Sequence, residues 1–510
     1  MNKRVVNNPM GVPNQIVLGL EVEYALASQR GPEALQERRC LPETILRQLR
    51  RYPHLQDRGR TGLHLGNGCN VYVDTGRHLE FGTPEVTNPR DIVLWEKAGE
   101  RLLEKASEGA QSERDIGVYK NNVDYAGHTW GCHENYLVSR RLSFERIAKE
   151  LLPFLITRQI YAGSGKISCV SGGIGFELSQ RAAFIEVAVS RETVGCRGIL
   201  NTRDEHLSTE QYRRVHLILG DSLMSERGTF LKIGTTALLL RMMDVGVHLG
   251  DGFEFDDPVE VLHFVSRDPL CRRALRTTDG RSVTATEVQR HYLTRAEDSI
   301  GKRGIPEWGE LVVREWRSVL DQLEADPLSL RSCLDPYIKF DLYSRLLQRW
   351  GSSWDHVNKM APGKPARREP EELVVLRQIF GEEGVLHLEC LLSAMREREP
   401  GPKPSPLAQK LMALDISYHD VRRRSSLFYS LEQQGLLEHR VVTEDEIASA
   451  MVSSPPDTRA AVRGRVIRQF SGLEAGVATW YAIWVPGRVL DLRDPFETDE
   501  KWRASTEEGL

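Results

Sequence analysis

The chain holds 510 residues, 40% hydrophobic and 27% charged, with a formal net charge of −4. This is the balance of a globular protein too long for one ordinary core, without the basic excess of a nucleic-acid binder. The 8 cysteines form no CxxC pair, so neither a zinc ribbon nor a disulfide scaffold is indicated, and free thiols fit a reducing cytoplasm.

Residues 1–15 read as a flexible arm with no apolar targeting core, and no apolar run reaches bilayer length, so no membrane is expected as a partner. Ile16–Ala27 alternates as a strand, and its GLEVEY stretch puts Glu21 and Glu23 on one face. Pro32–Tyr52 reads as a helix, with Leu41, Ile45, Leu46 and Leu49 at helical spacing. Asn67–Phe81 reads as a strand pair or a strand with a turn, from which Tyr72, Asp74, His78 and Glu80 project toward a common region. Asn88-Pro89-Arg90-Asp91 opens a helix running to about Ser107, and Gly117–Asn122 is a further strand. A polar cluster at Cys132–Val138 precedes a helix at Ser143–Leu152. Strands follow at Phe176–Glu186 and Arg197–Arg203, then a long apolar helix near Leu231–Val245.

The stretch Trp354–Pro406 differs: PGKPARREPEE and REREPGPKPSP bracket one helical run, Leu373–Met395, as in an insertion or linker. Beyond it, Asp415–Leu437 reads as a helix and Val442–Phe496 as a small α+β appendage. The expected organisation is an arm (1–15), a large sheet-bearing domain (16–425, with the 354–406 insertion) and a small C-terminal domain (426–510).

Carboxylates gathered on one sheet face repel each other unless a cation neutralises them, and hard oxygen ligands suit Mg²⁺ carrying substrate phosphates. Taken singly, each motif has a plainer reading. Glu21 and Glu23 fit a solvent-facing strand, and Tyr72 to Glu80 fit an edge strand guarded by charge. Gly131-Cys132-His133-Glu134-Asn135-Tyr136 fits a turn with a capped helix start, and Asn201-Thr202-Arg203-Asp204-Glu205 a surface ion-pair network. Gly163-Ser164-Gly165-Lys166 lacks the earlier glycine of a P-loop and reads as a turn. Cys132 reads as a small buried apolar residue.

Taken together, the blocks GLEVEY, VYVD-x-G-x-HLEF-x-TPE, YKNNVD, GCHENYL, NTRDE, YRRVH and LDISYHDVRR resemble the family of Pup ligases and Pup deamidase/depupylases, from about Gly19 to Phe496. The resemblance implies an α+β, glutamine-synthetase-like fold: a curved antiparallel sheet cradling ATP and Mg²⁺, helices behind it, and a small C-terminal domain. It implies Glu21, Tyr72 and Glu80 as ligands of a first metal, with Glu23, His133 and His216 as further metal or phosphate contacts. Asp74 matches the family's catalytic aspartate, Thr83 and Trp480 its nucleotide contacts, and Arg203 a phosphate clamp. One position departs: the family carries an arginine that touches ATP where this chain has Asn70, and Arg77 is the candidate replacement. The implied partners are a Pup-like disordered modifier and lysine-bearing target proteins.

The family divides by reaction. The ligase phosphorylates the C-terminal glutamate of Pup and lets a target lysine attack the acyl phosphate. The deamidase/depupylase hydrolyses a terminal glutamine amide or the Pup–lysine isopeptide bond. The short interval between Glu21 and Asp74 and the spacing from Asp74 to His78 match the ligase branch. Pro84–Pro89 and Phe184–Val187 match the hydrolase branch. The expectation is the ligase, with the hydrolase as the alternative and an inactive tail-binding protein, favoured by Asn70 alone, as a distant third.

Overall fold

The computed structural model describes residues 15–28, 40–111, 115–170, 173–204, 209–250, 252–354, 388, 391–392, 405–438 and 440–504. A 14-stranded sheet organises them. Its strands are β1 (Val17–Ser28), β2 (His54–Asp57), β3 (Gly62–Leu65), β4 (Asn70–Val73), β5 (Leu79–Gly82), β6 (Ile116–Tyr119) and β7 (Cys132–Ser139). They continue as β8 (Val187–Ser190), β9 (Gly198–Asn201), β10 (Tyr212–Leu217), β11 (Val477–Ala478), β12 (Ala482–Val485), β13 (Arg488–Asp491) and β14 (Trp502–Ala504). The order is β8-β9-β10-β7-β1-β5-β4-β3-β2-β11-β12-β13-β14, with β6 on the second half of β1. All pairings are antiparallel except β8 with β9 and β2 with β11. The last four strands therefore extend the same sheet rather than build a separate one.

Strand alternation divides this sheet into two chemically distinct faces. Leu18, Leu20, Val22 and Tyr24 of β1, Val71 and Val73 of β4, Leu79 and Phe81 of β5, and Val215 and Leu217 of β10 enter the main core. Helices Leu41–Leu49, Pro89–Ala110, Phe144–Thr157 and Glu226–Asp244 cover that face. Asn88 caps the second of them by accepting from the Arg90 N–H at 2.9 Å. At Gly99 the helix touches the sheet so closely that a Cβ would lie 2.5 Å from Phe81. Glu226–Asp244 is buried on all sides except its last residue, which explains its continuous apolar reading.

Several elements differ from expectation. Strands β2 and β3 form a hairpin that the sequence reading missed, because four-residue strands with polar members carry almost no periodicity. Phe176–Glu186 is extended only to Glu177. Beyond it the Asp221 carboxylate accepts from Ser179 Oγ and the Gln180 and Arg181 N–H groups, bending the chain away. Asp415–Leu437 is two helices, Pro406–Tyr418 and Leu427–Gln433. Between them Asp420 accepts from the Arg422 N–H and Ser425 Oγ, and the Val421 N–H donates to the Val118 carbonyl of β6. Local side-chain bonds and a bridge to a sheet edge thus replace a helical turn. Of the Leu373–Met395 run, Leu388, Leu391 and Leu392 are described and pack with the Pro406–Tyr418 helix. The rest of that run, and residues 1–14 of the arm, lie outside the described residues, as do residues 29–39, which include the start of the expected Pro32–Tyr52 helix.

Candidate active site

The polar face of the sheet is set by register. Glu23 pairs with Glu80, and Glu80 with Tyr72 on its other side. Glu21 lies opposite His133 across β1 and β7, and His216 opposite Asn135 across β10 and β7. The residues of four separated motifs thus share one face. The GCHENYL block is a central strand rather than a turn: His133 and Asn135 face the site, while Glu134 points into the core and pairs with Arg158 at 2.6 Å. Cys132 is buried on the core side.

Two side-chain clusters stand on this face. Glu21, His133 and His216 bring ligand atoms within 4.8 Å of one another, and so do Glu23, Asp74 and His78. His133 Nδ1 lies 3.6 Å from Glu21, and its Nε2 lies 3.9 Å from Glu23, so one ring spans both clusters. Burial opposes charge on Glu21, but the His133 hydrogen bond and the Arg214 guanidinium prevail and hold its carboxyl down at about 2. Glu80 goes the other way: burial and the Glu21 and Glu23 carboxylates push it well up. Burial and the Glu80 and Glu21 carboxylates raise the Tyr72 phenol. His216 is buried, neither ring nitrogen has a protein partner among the described residues, and burial with Arg214 pushes its pKa well down. Uncompensated carboxylates, a phenol and unpartnered buried imidazole nitrogens are the donor set a divalent cation satisfies, so the residues fit the implied metal.

Asp74 stands at the tip of the β4–β5 hairpin. Its Oδ1 accepts from the His78 N–H at 2.6 Å, and Arg77 takes the left-handed turn conformation at φ 68°. This closes the tip and holds the carboxylate toward the polar face, where burial and Glu23 raise its pKa. His78, 3.4 Å from Glu23, stacks on Trp130 with ring centroids 5.3 Å apart.

Beside the row lies a cavity lined by Glu21, Thr83, Asn135, Arg214, Trp480 and Pro495 among others. Trp480 lies against Gly82, where a Cβ would stand 2.9 Å from the indole. Thr83 Oγ1 accepts from the Leu20 N–H at 3.0 Å, so the hydroxyl is engaged with β1 as well as lining the cavity. The cavity lining does not include Asn70 or Arg203. Asn70 Nδ2 donates to Asp57 and to the Leu63 carbonyl, both at 3.1 Å. Arg203 stands exposed after β9. Arg77, the expected replacement at position 70, instead pairs with Glu43 at 2.7 Å at the hairpin tip. The sequence reading missed Arg214, which lines the cavity, and the Asp57–His64 pair at 3.1 Å beneath Trp480. Arg214 stands two residues before His216 in a named block, which was the one available signal.

The fold is the α+β, glutamine-synthetase-like architecture the motifs implied. A family model for the Pup-ligase proteins matches residues 16–361 and 389–484, and the chain belongs to that family. It is 36% identical over 503 residues to a depupylase of Acidothermus cellulolyticus, covering 96% of this chain and 87% of that protein. It is 33% identical over 502 residues to a Pup–protein ligase of Acidimicrobium ferrooxidans, covering 95% and 96%. The crystal structure of Pup in complex with its ligase PafA superposes with a TM-score of 0.74 at 28% identity, covering 95% of this chain and 90% of that one. PafA in complex with ADP gives 0.69 at 26% identity, covering 93% and 94%. Among the described residues no helix is long and apolar enough to cross a membrane.

Proposed function

We propose that the chain is an ATP- and Mg²⁺-dependent ligase of the cytoplasm that joins the C-terminal glutamate of a Pup-like modifier to lysines of target proteins. The observation that carries this reading is the convergence of Glu21, Tyr72 and Glu80 on one sheet face, with the Thr83–Trp480 cavity beside it and Asp74 on the same face. When bound, the nucleotide supplies the phosphoryl group that activates the tail carboxylate, and the cation neutralises its oxygens. Glu21, Tyr72 and Glu80 hold the first cation; Glu23, His133 and His216 hold a further one or orient phosphate. Thr83 and Trp480 contact the nucleotide, whose phosphates pass Asn70, and Arg203 reaches in from the rim. Asp74 orients the target lysine and accepts its proton, because an ammonium with a free pKa of about 10.4 cannot attack an acyl phosphate.

The hydrolase reading is favoured by the 36% identity to a depupylase. In it Asp74 activates water or attacks the amide. One experiment separates the two. Purified protein is given ATP, Mg²⁺ and either a Glu-ended Pup with a lysine-bearing target or a Gln-ended Pup. ATP-coupled conjugate from the Glu-ended tail supports the ligase. Ammonia release from the Gln-ended tail without conjugation overturns it in favour of the hydrolase. Neither product, with ATP bound, leaves the tail-binding protein.

A further inference from the structure

A nucleotide seated against Trp480 and reaching the Tyr72–Glu80 row must run its phosphates past Asn70. Asn70 and Tyr72 are alternate residues of β4 on the same face, and Asn70 pairs with Gly82, which lies under Trp480. The Asn70 side chain offers little there: it is uncharged, and its Nδ2 is turned down to Asp57 and the Leu63 carbonyl. A chain of phosphates beside four carboxylates needs a fixed positive charge in addition to metal.

The arginines near this face differ in their commitments. Arg463 and Arg459 are tied to Glu85. Arg181 donates to the Ile218 and Trp130 carbonyls. Arg77 is paired with Glu43. Arg214 donates to Asn135 and the Arg203 carbonyl on the β7–β10 side, at the other flank of Glu21. Arg60, in the short β2–β3 turn, is exposed, and its guanidinium lies 4.4 Å from the centre of the Tyr72 ring.

We infer that Arg60, reaching over Tyr72 from the β2–β3 turn, makes the phosphate contact that Asn70 cannot make, and so selects nucleotides by their terminal phosphates. Arg60 and Arg214 then flank the metal row, one on each side. Held over the Tyr72 ring, the guanidinium stands close enough to the row for its planar fork to take two parallel bonds to phosphate oxygens. This inference rests on the nucleotide-binding part of the reading above.

The test measures binding, by calorimetry, of the non-hydrolysable ATP analogue AMP-PNP, of ADP and of AMP, each with Mg²⁺. The proteins are wild type, Arg60→Ala, Arg60→Lys and Arg60→Ala/Asn70→Arg. The expected result is that Arg60→Ala weakens AMP-PNP by roughly tenfold or more, the loss of one charge-assisted contact, and leaves AMP within about twofold. Arg60→Lys, a point charge without the fork, falls between. Asn70→Arg in the Arg60→Ala background restores AMP-PNP affinity, which a merely structural role for Arg60 would not allow. Wild-type AMP-PNP affinity in Arg60→Ala, or an equal loss for AMP, overturns the inference while leaving nucleotide binding intact. Absence of AMP-PNP binding to the wild type overturns the nucleotide reading itself.

Discussion

Two groups of buried carboxylates, one on the sheet and one just beyond β5, are treated in opposite ways. Glu85, at the floor of the cavity, is met by Arg459 at 2.6 Å and by Arg463, which also donates to the Gly68 carbonyl at 3.0 Å. Burial works against its charge, but the two guanidinium groups prevail and hold the carboxyl at about 2. Glu80 is as buried, yet its neighbours across the strands are Glu23 and the Tyr72 phenol, and its pKa rises. The first arrangement is complete within the chain. The second is not, and on the proposed function a cation from solution completes it, so the contrast separates what supports the fold from what the site is proposed to do.

The largest effect expected of any single change is at Asp74, on the incomplete side. Asp74→Asn keeps the hairpin's acceptor for the His78 N–H but removes the carboxylate proposed as the base, and should cut product formation by roughly 10²–10⁴-fold. AMP-PNP and Mg²⁺ binding, followed by calorimetry, should change little. Wild-type turnover by this variant would remove Asp74 from the mechanism. On the complete side, Arg463→Ala strands Glu85 with one partner and frees the Trp480 carbonyl to which Arg463 donates at 3.1 Å. Breaking a buried pair from one side costs about 3–5 kcal/mol, which a urea titration would register. If that variant keeps full stability, the Glu85 cluster is not the support this contrast makes it.

Much of this contrast was legible in the sequence, and the illegible part has a physical reason. Alternation put Glu21 and Glu23 of GLEVEY on one face and sent Tyr72, Asp74, His78 and Glu80 toward a common region, because strand period is a local property, while the register that joins the two sets is not. The helix beginning at Asn88-Pro89 was readable from its cap alone. The hairpin β2–β3 was not, and with it went Asp57, Arg60 and His64. Nor was the partnership of Glu85 with Arg459 and Arg463, more than 370 residues apart by the separations of 374 and 378. Such contacts depend on β11 adding to β2 in parallel, a pairing no local pattern encodes. Arg77 shows the converse error: close to the site in sequence, it turns at positive φ toward Glu43 instead.

The smallest effect is also the one that tests the contrast most directly, through pH. A carboxylate whose pKa falls on folding, such as Glu85, adds stability above its unfolded value of 4.5 and loses it as pH drops toward about 2. A carboxylate whose pKa rises, such as Glu80, has the opposite sign: its share is present below 4.5 and is lost as pH climbs through the raised folded value. Without divalent metal, wild type should therefore lose stability relative to Glu80→Gln as pH goes from about 5 to about 8, since the amide has no charge to bury. Mg²⁺ needs the deprotonated ligand, so its stabilisation should grow over the same interval, reaching about 2.7 kcal/mol when Mg²⁺ stands at a hundred times its dissociation constant. Glu80→Gln should remove most of that response at every pH, whereas Arg463→Ala should lower the unfolding midpoint and leave the Mg²⁺ increment in place. Thermal unfolding of the three proteins at both ends of the interval, with EDTA and with Mg²⁺, reads all of these terms together. An Mg²⁺ increment equal at both pH values, or one that survives in Glu80→Gln, would mean that the cation completing this face sits elsewhere.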